Sequence, residues 1–154
     1  MPLDDFYNKI VALEEFNIEV ESIDIINKYG YYLVGLLRKQ LQEGKDADGK
    51  SLLAKYGSDY SDYTVFNKER RGVSLGKETG YVTYFMTGAF YTSLEVIAAG
   101  DTFSITSPVP YLSSLEAFSG SKRFLELNQE HLTEFSEEIL VPQLQLRLNA
   151  ALNK

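Results

Sequence analysis

The chain has 154 residues and a formal net charge of −7, with one histidine and no cysteine. The length suits one domain spanning residues 1–154, and the lack of cysteine excludes disulfides, thiolate catalysis and cysteine-ligated zinc. The acidic balance argues against a general nucleic-acid binder, because such proteins gain affinity from a basic face. The N-terminus carries no basic segment followed by an apolar run. We therefore expect a protein made in the cytoplasm, not exported by the general secretory route and without a membrane partner.

Two helices are predicted before residue 45. The first covers residues 3–13, because acids fall in its first turn and apolar residues recur at helical spacing; these are Asp4, Asp5, Phe6, Ile10 and Leu13. Ser22 is expected to cap a longer second helix that ends at Gly44. Its apolar stripe comprises Ile25, Ile26, Tyr29, Leu33, Leu36, Leu37 and Leu41.

The stretch "GKDADGKS" at 44–51 has the letters of a nucleotide-binding P-loop. A P-loop needs a strand before the glycine and a helix after the serine, whereas a helix precedes this stretch and Gly57 follows soon after it. An EF-hand calcium loop is excluded too, because its closing glutamate would be Gly57. The residues predict a plain turn, in which Gly44 caps the helix in the left-handed conformation and Asp48-Gly49 reverses the chain.

Residues 45–80 are predicted to form an extended arm with strand character at 63–66. They contain five glycines and no long apolar run, and such segments tend to be functional or disordered. Rigid aromatic rings favour contacts with a neighbouring protein. We therefore expect the arm to contact another subunit, and its basic cluster to be solvated or in that contact rather than to bind phosphate. The candidate interface residues are Tyr56, Tyr60, Tyr63, Phe66, Lys68, Arg70 and Arg71.

The remaining chain predicts a small antiparallel sheet and a closing helix. Residues 81–85 are β-prone, and Thr87 is expected to cap one helical turn. A hairpin follows, with a turn at Gly100-Asp101 and strands that place Leu94, Val96, Phe103 and Ile105 on one side. Asn128 is expected to cap a C-terminal helix over 128–152, with a kink or break near Pro142. The fold class is α+β, with long helices packed on the sheet.

No catalytic, cofactor-binding or metal-binding residue is predicted. His131 lies in the C-terminal helical pattern without the neighbours of a catalytic triad, and we expect it at the surface or partly buried. The acids along this helix are expected to form a solvated face; they are Glu126, Glu130, Glu134, Glu137 and Glu138. The tyrosines and phenylalanines are not interleaved with a basic groove, so packing explains them better than base stacking.

The order of several motifs along the chain resembles that of a known protein family. A helix ending in "LRKQLQEGKDADGKSL" (37–52), the arm "YSDYTVFNKERRG" (60–72) and "YVTYFMTGAFYTSLEV" (81–96) followed by the hairpin resemble small neck and tail-completion proteins of tailed bacteriophages. Versions from phages of gut Bacteroidetes, including crAss-like phages, are the most similar. The resemblance covers residues 25–130, and this chain differs in having Met86 before Thr-Gly and a long C-terminal helix. The matching positions are Gln40, Leu41, Gly44, Asp46, Gly49, Tyr60, Lys68, Thr87, Gly88, Phe90 and Ser93.

The resemblance implies a structural virion protein rather than an enzyme. Its subunits are expected to form a homo-oligomeric ring in the neck or tail, to bridge connector and tail proteins, and to let DNA pass through without reading its sequence. It brings no catalytic residue and no cofactor. The alternative is a soluble enzyme or ligand-binding module with a pocket beneath the 45–80 arm.

Overall fold

A computed structural model describes residues 3–55, 57, 60, 62–71, 80–120 and 122–153. Within these ranges most residues are helical, and one two-stranded antiparallel sheet packs against the helices. The predicted α+β class is therefore confirmed. The core forms around the third helix, whose leucines pack with aromatic residues from the second half of the chain. Its central members are Leu33, Leu37, Leu41, Phe90, Phe124 and Phe135.

Three helices, rather than two, precede residue 45: α1 (Leu3–Glu15), α2 (Ile18–Lys28) and α3 (Gly30–Gln42). The predicted first helix is confirmed. The single helix from Ser22 to Gly44 is wrong, because Asn17 caps α2 through its side chain and the helix breaks at Tyr29. The break lets Gly30 approach the sheet, where a Cβ would lie 3.2 Å from the Cβ of Val96. A Cβ at this position would make an unusually tight contact, so Val96 or α3 would have to move by a few tenths of an ångström.

The turn at 44–51 is closed by its own side chains. Asp46 Oδ1 accepts the backbone N–H groups of Asp48 at 2.9 Å and Lys50 at 2.8 Å, and Gly44 has a left-handed φ of 70° after the end of α3. Arg123 holds Asp48 from across the fold at 2.7 Å. These N–H groups already have acceptors and the aspartates already have donors. The geometry matches the predicted turn and leaves no cradle for a phosphate.

Two predictions for the middle of the chain are wrong. Residues 63–66 lie in helix α4 (Asp62–Arg71), not in a strand, so the arm is not extended throughout. Residues 81–85 form no strand either, because Tyr84 has a φ of 56°, which is incompatible with continuous β pairing.

The predicted helical turn and hairpin are present. The turn is α5 (Ala89–Thr92), and its N-cap is Gly88 with a φ of 86° rather than Thr87. The hairpin comprises β1 (Glu95–Ala99) and β2 (Thr102–Thr106), in which Val96 pairs with Ile105 and Ala98 with Phe103. The two-residue turn predicted at Gly100-Asp101 is confirmed, since these residues alone separate the strands.

After the sheet come α6 (Leu112–Ser119), a 3₁₀ turn (Arg123–Leu125), α7 (Gln129–Phe135), a π-helical turn (Ser136–Leu140) and α8 (Val141–Leu152). Asn128 caps α7 as predicted, since its Oδ1 accepts the N–H of His131 at 2.8 Å. The last three segments run on as one helix, so Pro142 does not break it. A π-helical turn lies just before Pro142, and its wider spiral accommodates a residue that has no backbone N–H to donate.

Gln40 joins α3 to the segment before α7. Its side chain is fully buried, donates to the carbonyl of Glu126 at 2.9 Å and accepts the N–H of Asn128 at 2.9 Å. Burying an amide is favourable only when its polar atoms are paired, as here. This clamp fixes the closing helix relative to the core.

Candidate functional site

The structure describes the side chains of three of the seven predicted interface residues of the arm, which are Tyr60, Phe66 and Lys68. Tyr56 lies outside the described residues, and the backbones of Tyr63, Arg70 and Arg71 lie in α4 while their side chains fall outside the description. Phe66 is exposed to solvent, with 59% of its surface accessible. The remaining two, Tyr60 and Lys68, turn inward and contact their own chain.

Tyr60 and Lys68 anchor the arm to the body at Thr83. The Tyr60 hydroxyl oxygen accepts the backbone N–H of Thr83 at 2.9 Å and that of Tyr84 at 3.0 Å. Lys68 is 1% exposed, donates from Nζ to the Thr83 hydroxyl at 3.3 Å and lies 4.3 Å from the centre of the Tyr60 ring. A cation against an aromatic face is stabilised by the ring quadrupole, most strongly where water is excluded.

Tyr84 holds a left-handed backbone conformation that is rare for an aromatic residue. Its hydroxyl donates to the carbonyl of Leu53 at 2.7 Å, and its ring packs edge-on against Phe124 at 5.2 Å between centroids. Burial raises the pKa of Tyr84 to about 12. Together with the Tyr60 hydroxyl, these contacts hold a conformation that costs about 1–3 kcal/mol.

The strained segment forms one wall of a cavity, which we call the arm pocket. It has a volume of about 360 Å³ and lies between the arm, residues 84–90 and α6. Its walls are largely apolar, and among the described lining residues only Lys55 carries a charge. The hydroxyls of Tyr60 and Tyr84 are bound within the chain. The principal lining residues are Tyr60, Tyr84, Phe85, Phe90, Leu115 and Phe118.

A second apolar surface lies on α1. The apolar side chains at successive turns of this helix point into solvent, and we call them the α1 stripe. Val11 and Ala12 are half-buried, at a surface that α1 forms with the end of α8. Among its described side chains, α1 therefore packs with Val11 and Ala12 and exposes four larger apolar residues. The α1 stripe comprises Leu3 (85% exposed), Tyr7 (67%), Ile10 (38%) and Leu13 (51%).

Helices α2 and α8 are also poorly covered by the rest of the chain. We call α1, α2 and α8 the terminal helices. In α1, α2 and α8, Ile25 is the one residue that is buried among those whose side chains are described. Arg147 ties α8 to α2 by ion pairs of 2.6 Å with both Glu21 and Asp24. Further large apolar side chains are exposed on these helices, including Ile18, Val20, Val141 and Leu146. A helix without a buried apolar face gains little stability from packing against its own domain.

His131 is buried, at 4% exposure, which corrects the prediction of a surface or partly buried residue. None of the described residues offers a hydrogen-bond partner to its Nδ1. The acidic face is only partly solvated, because the Tyr32 hydroxyl donates to Glu138 at 2.5 Å and to Glu134 at 3.3 Å. The hydrogen bond to Glu138 is the main cause of a Tyr32 pKa of about 12. No group of three acidic or histidine side chains within the described ranges is arranged to hold a metal.

The alternative hypothesis placed a pocket beneath the 45–80 arm, but the sequence did not indicate that residues 84–90 and α6 line it, nor that the α1 stripe points outward. Positions 64 and 68 of α4 are one helical turn apart and face the body, but a threonine and a lysine give no hydrophobic signal. No described helix is long and apolar enough to cross a bilayer. No protein-family model, curated protein or solved structure matches this chain.

Proposed function

We propose that this chain is a structural virion protein of a tailed phage, which forms a ring in the neck or tail and bridges connector and tail proteins. The observation that carries the proposal is the exposure of the α1 stripe and of apolar residues on α2 and α8. Contiguous exposed apolar surface marks contacts with other proteins. The completing partner is expected at the terminal helices rather than at the tyrosines of the arm.

The motif positions support a structural role. Those in the turn and arm hold the fold: Gln40 clamps the closing helix, Asp46 closes the turn and Tyr60 anchors the arm. Later in the motif, Phe90 is buried, and the Ser93 hydroxyl lies 2.6 Å from that of Ser107. Residues used in this way maintain a shape rather than carry out a reaction. The positions that carry the resemblance therefore maintain the fold, which supports a structural role for the chain.

Assembly is tested by replacing residues of the α1 stripe and measuring the molecular mass of the particles in solution. Replacing Leu3, Tyr7 and Ile10 with glutamine keeps good helix formers in α1 and removes its apolar surface. In sedimentation equilibrium we expect the wild type to form oligomers as concentration rises, and the triple variant to stay monomeric. The matched control is Ile97→Thr, which removes an apolar side chain that is 51% exposed on β1. Assembly by the triple variant equal to that of the control would contradict the proposal.

The virion role is tested separately. Particles from a phage that carries this gene are purified by density gradient, and the copies of this chain per particle are counted by quantitative mass spectrometry. A ring component is present in a fixed number of several copies in every particle. A chain that is made in infected cells but absent from the particles would exclude the virion role.

The arm pocket favours the second candidate, a ligand-binding module. Its volume of about 360 Å³ and apolar lining fall within the range of small-molecule sites. Isothermal titration of the monomeric triple variant with a library of small aromatic and acyl compounds tests this function. A compound that binds at micromolar concentration and is blocked by Ala89→Trp, a larger residue in the lining, would favour it over assembly.

A further inference from the structure

We infer that the arm pocket of one copy receives the α1 stripe of the next copy, so that the chain assembles head to tail. This inference rests on the proposed function, because it names the two surfaces that meet in the ring. The stripe is a convex row of large apolar side chains, with Leu3 and Tyr7 the most exposed. The pocket is a concave apolar site on other elements of the chain. The two surfaces are therefore complementary in shape, and both are apolar.

Charge supports this pairing. Helix α1 carries Asp4 and Asp5 in its first turn, Glu14 and Glu15 in its last, and Lys9 as its one base, which gives a net charge of −3. Among the described residues that line the pocket, the charged one is the cation Lys55. When Leu3 and Tyr7 enter the pocket, the acidic first turn lies at the pocket mouth near this lysine. Opposite charges around an apolar contact speed association and fix its orientation.

The same charges disfavour contact between two α1 stripes. In an antiparallel pair of α1 helices, Asp4 and Asp5 would lie near Glu14 and Glu15 of the second copy, and a parallel pair would align identical acids. Like charges at such distances cost free energy and select against that arrangement. A contact between two different surfaces of the same chain repeats from copy to copy. It closes into a ring when the rotation per subunit divides a full turn.

The experiment uses two variants, each with one defective surface. Ala89→Trp enlarges an exposed residue of the pocket lining and leaves α1 intact. The second variant, Leu3→Gln with Tyr7→Gln, removes the two most exposed members of the stripe and leaves the pocket intact. Circular dichroism establishes that both fold. In native mass spectrometry each variant alone is expected to be monomeric, and a 1:1 mixture to give a heterodimer that does not grow further.

A charge swap provides a second measurement. Lys55→Glu is expected to weaken wild-type assembly by about tenfold in dissociation constant, and adding Asp4→Lys with Asp5→Lys to restore it. The inference is overturned if the wild type assembles while the mixture of the two variants stays monomeric, or if Ala89→Trp assembles like the wild type. Assembly then proceeds through another surface and the proposed function stands. A wild type that remains monomeric at every concentration defeats both.

Discussion

Replacing Tyr60 with phenylalanine tests whether a single hydroxyl anchors the arm. Its oxygen accepts two backbone N–H groups, from Thr83 at 2.9 Å and from Tyr84 at 3.0 Å. The variant keeps the ring and its contact with Lys68 but leaves both donors unpaired. An unsatisfied buried donor costs about 1–3 kcal/mol. We therefore expect the free energy of unfolding to fall by about 2–4 kcal/mol, since this part of the chain is only partly buried.

The loss is measured by urea unfolding, followed by far-ultraviolet circular dichroism and analysed by linear extrapolation. The slope with denaturant is expected to stay the same, because the change alters no large surface. The control is Tyr31→Phe, which removes a hydroxyl from a side chain that is 70% exposed and should change stability by less than about 0.5 kcal/mol. A Tyr60→Phe variant as stable as this control would refute the anchoring role.

Three further predictions test the scaffold. Gly44→Ala adds a Cβ that collides with a tyrosine ring, whereas Gly49→Ala has the same left-handed strain and open space; in urea unfolding we expect about 1 kcal/mol of lost stability for Gly49→Ala and a larger loss for Gly44→Ala. Gln40→Leu leaves a backbone N–H and a carbonyl unpaired in the interior and should cost about 2–4 kcal/mol by the same method. The hydrogen bond from Arg123 lowers the Asp48 pKa from 3.8, so this contribution is present above pH 4 and lost as the pH falls through the lowered value. Thermal unfolding from pH 6 to pH 2 should therefore show the wild type losing its advantage over Asp48→Asn.

Local patterns predicted the hairpin, the closed turn and the Asn128 cap well. Each depends on residues close in sequence: alternation sets the pairing of Val96 with Ile105, and Gly100 permits the tight reversal. The prediction of a strand at 63–66 was wrong. It relied on the strand preference of β-branched and aromatic residues, whereas a buried lysine positions this segment as part of helix α4. This lysine contacts Thr83, which is distant in sequence, so the hydrophobic pattern of residues 63–66 could not predict the contact.

The candidate site was harder to predict because its parts come from distant segments. The arm pocket joins Tyr60, Tyr84 and Leu115, and its shape depends on the left-handed backbone of a tyrosine, which the sequence does not indicate. The periodicity of α1 predicted a helix correctly. Periodicity does not say which side of a helix faces the domain, and in α1 the half-buried side is that of Val11 and Ala12.

The most direct test of the central claim is hydroxyl-radical footprinting of the α1 stripe in separated monomer and oligomer fractions. Tyr7 is 67% exposed in the single chain, and Ile97, at 51%, serves as the internal reference. If another chain completes the terminal helices, oxidation of Tyr7 falls several-fold in the oligomer while that of Ile97 stays constant. Equal oxidation of Tyr7 in both fractions would contradict the account.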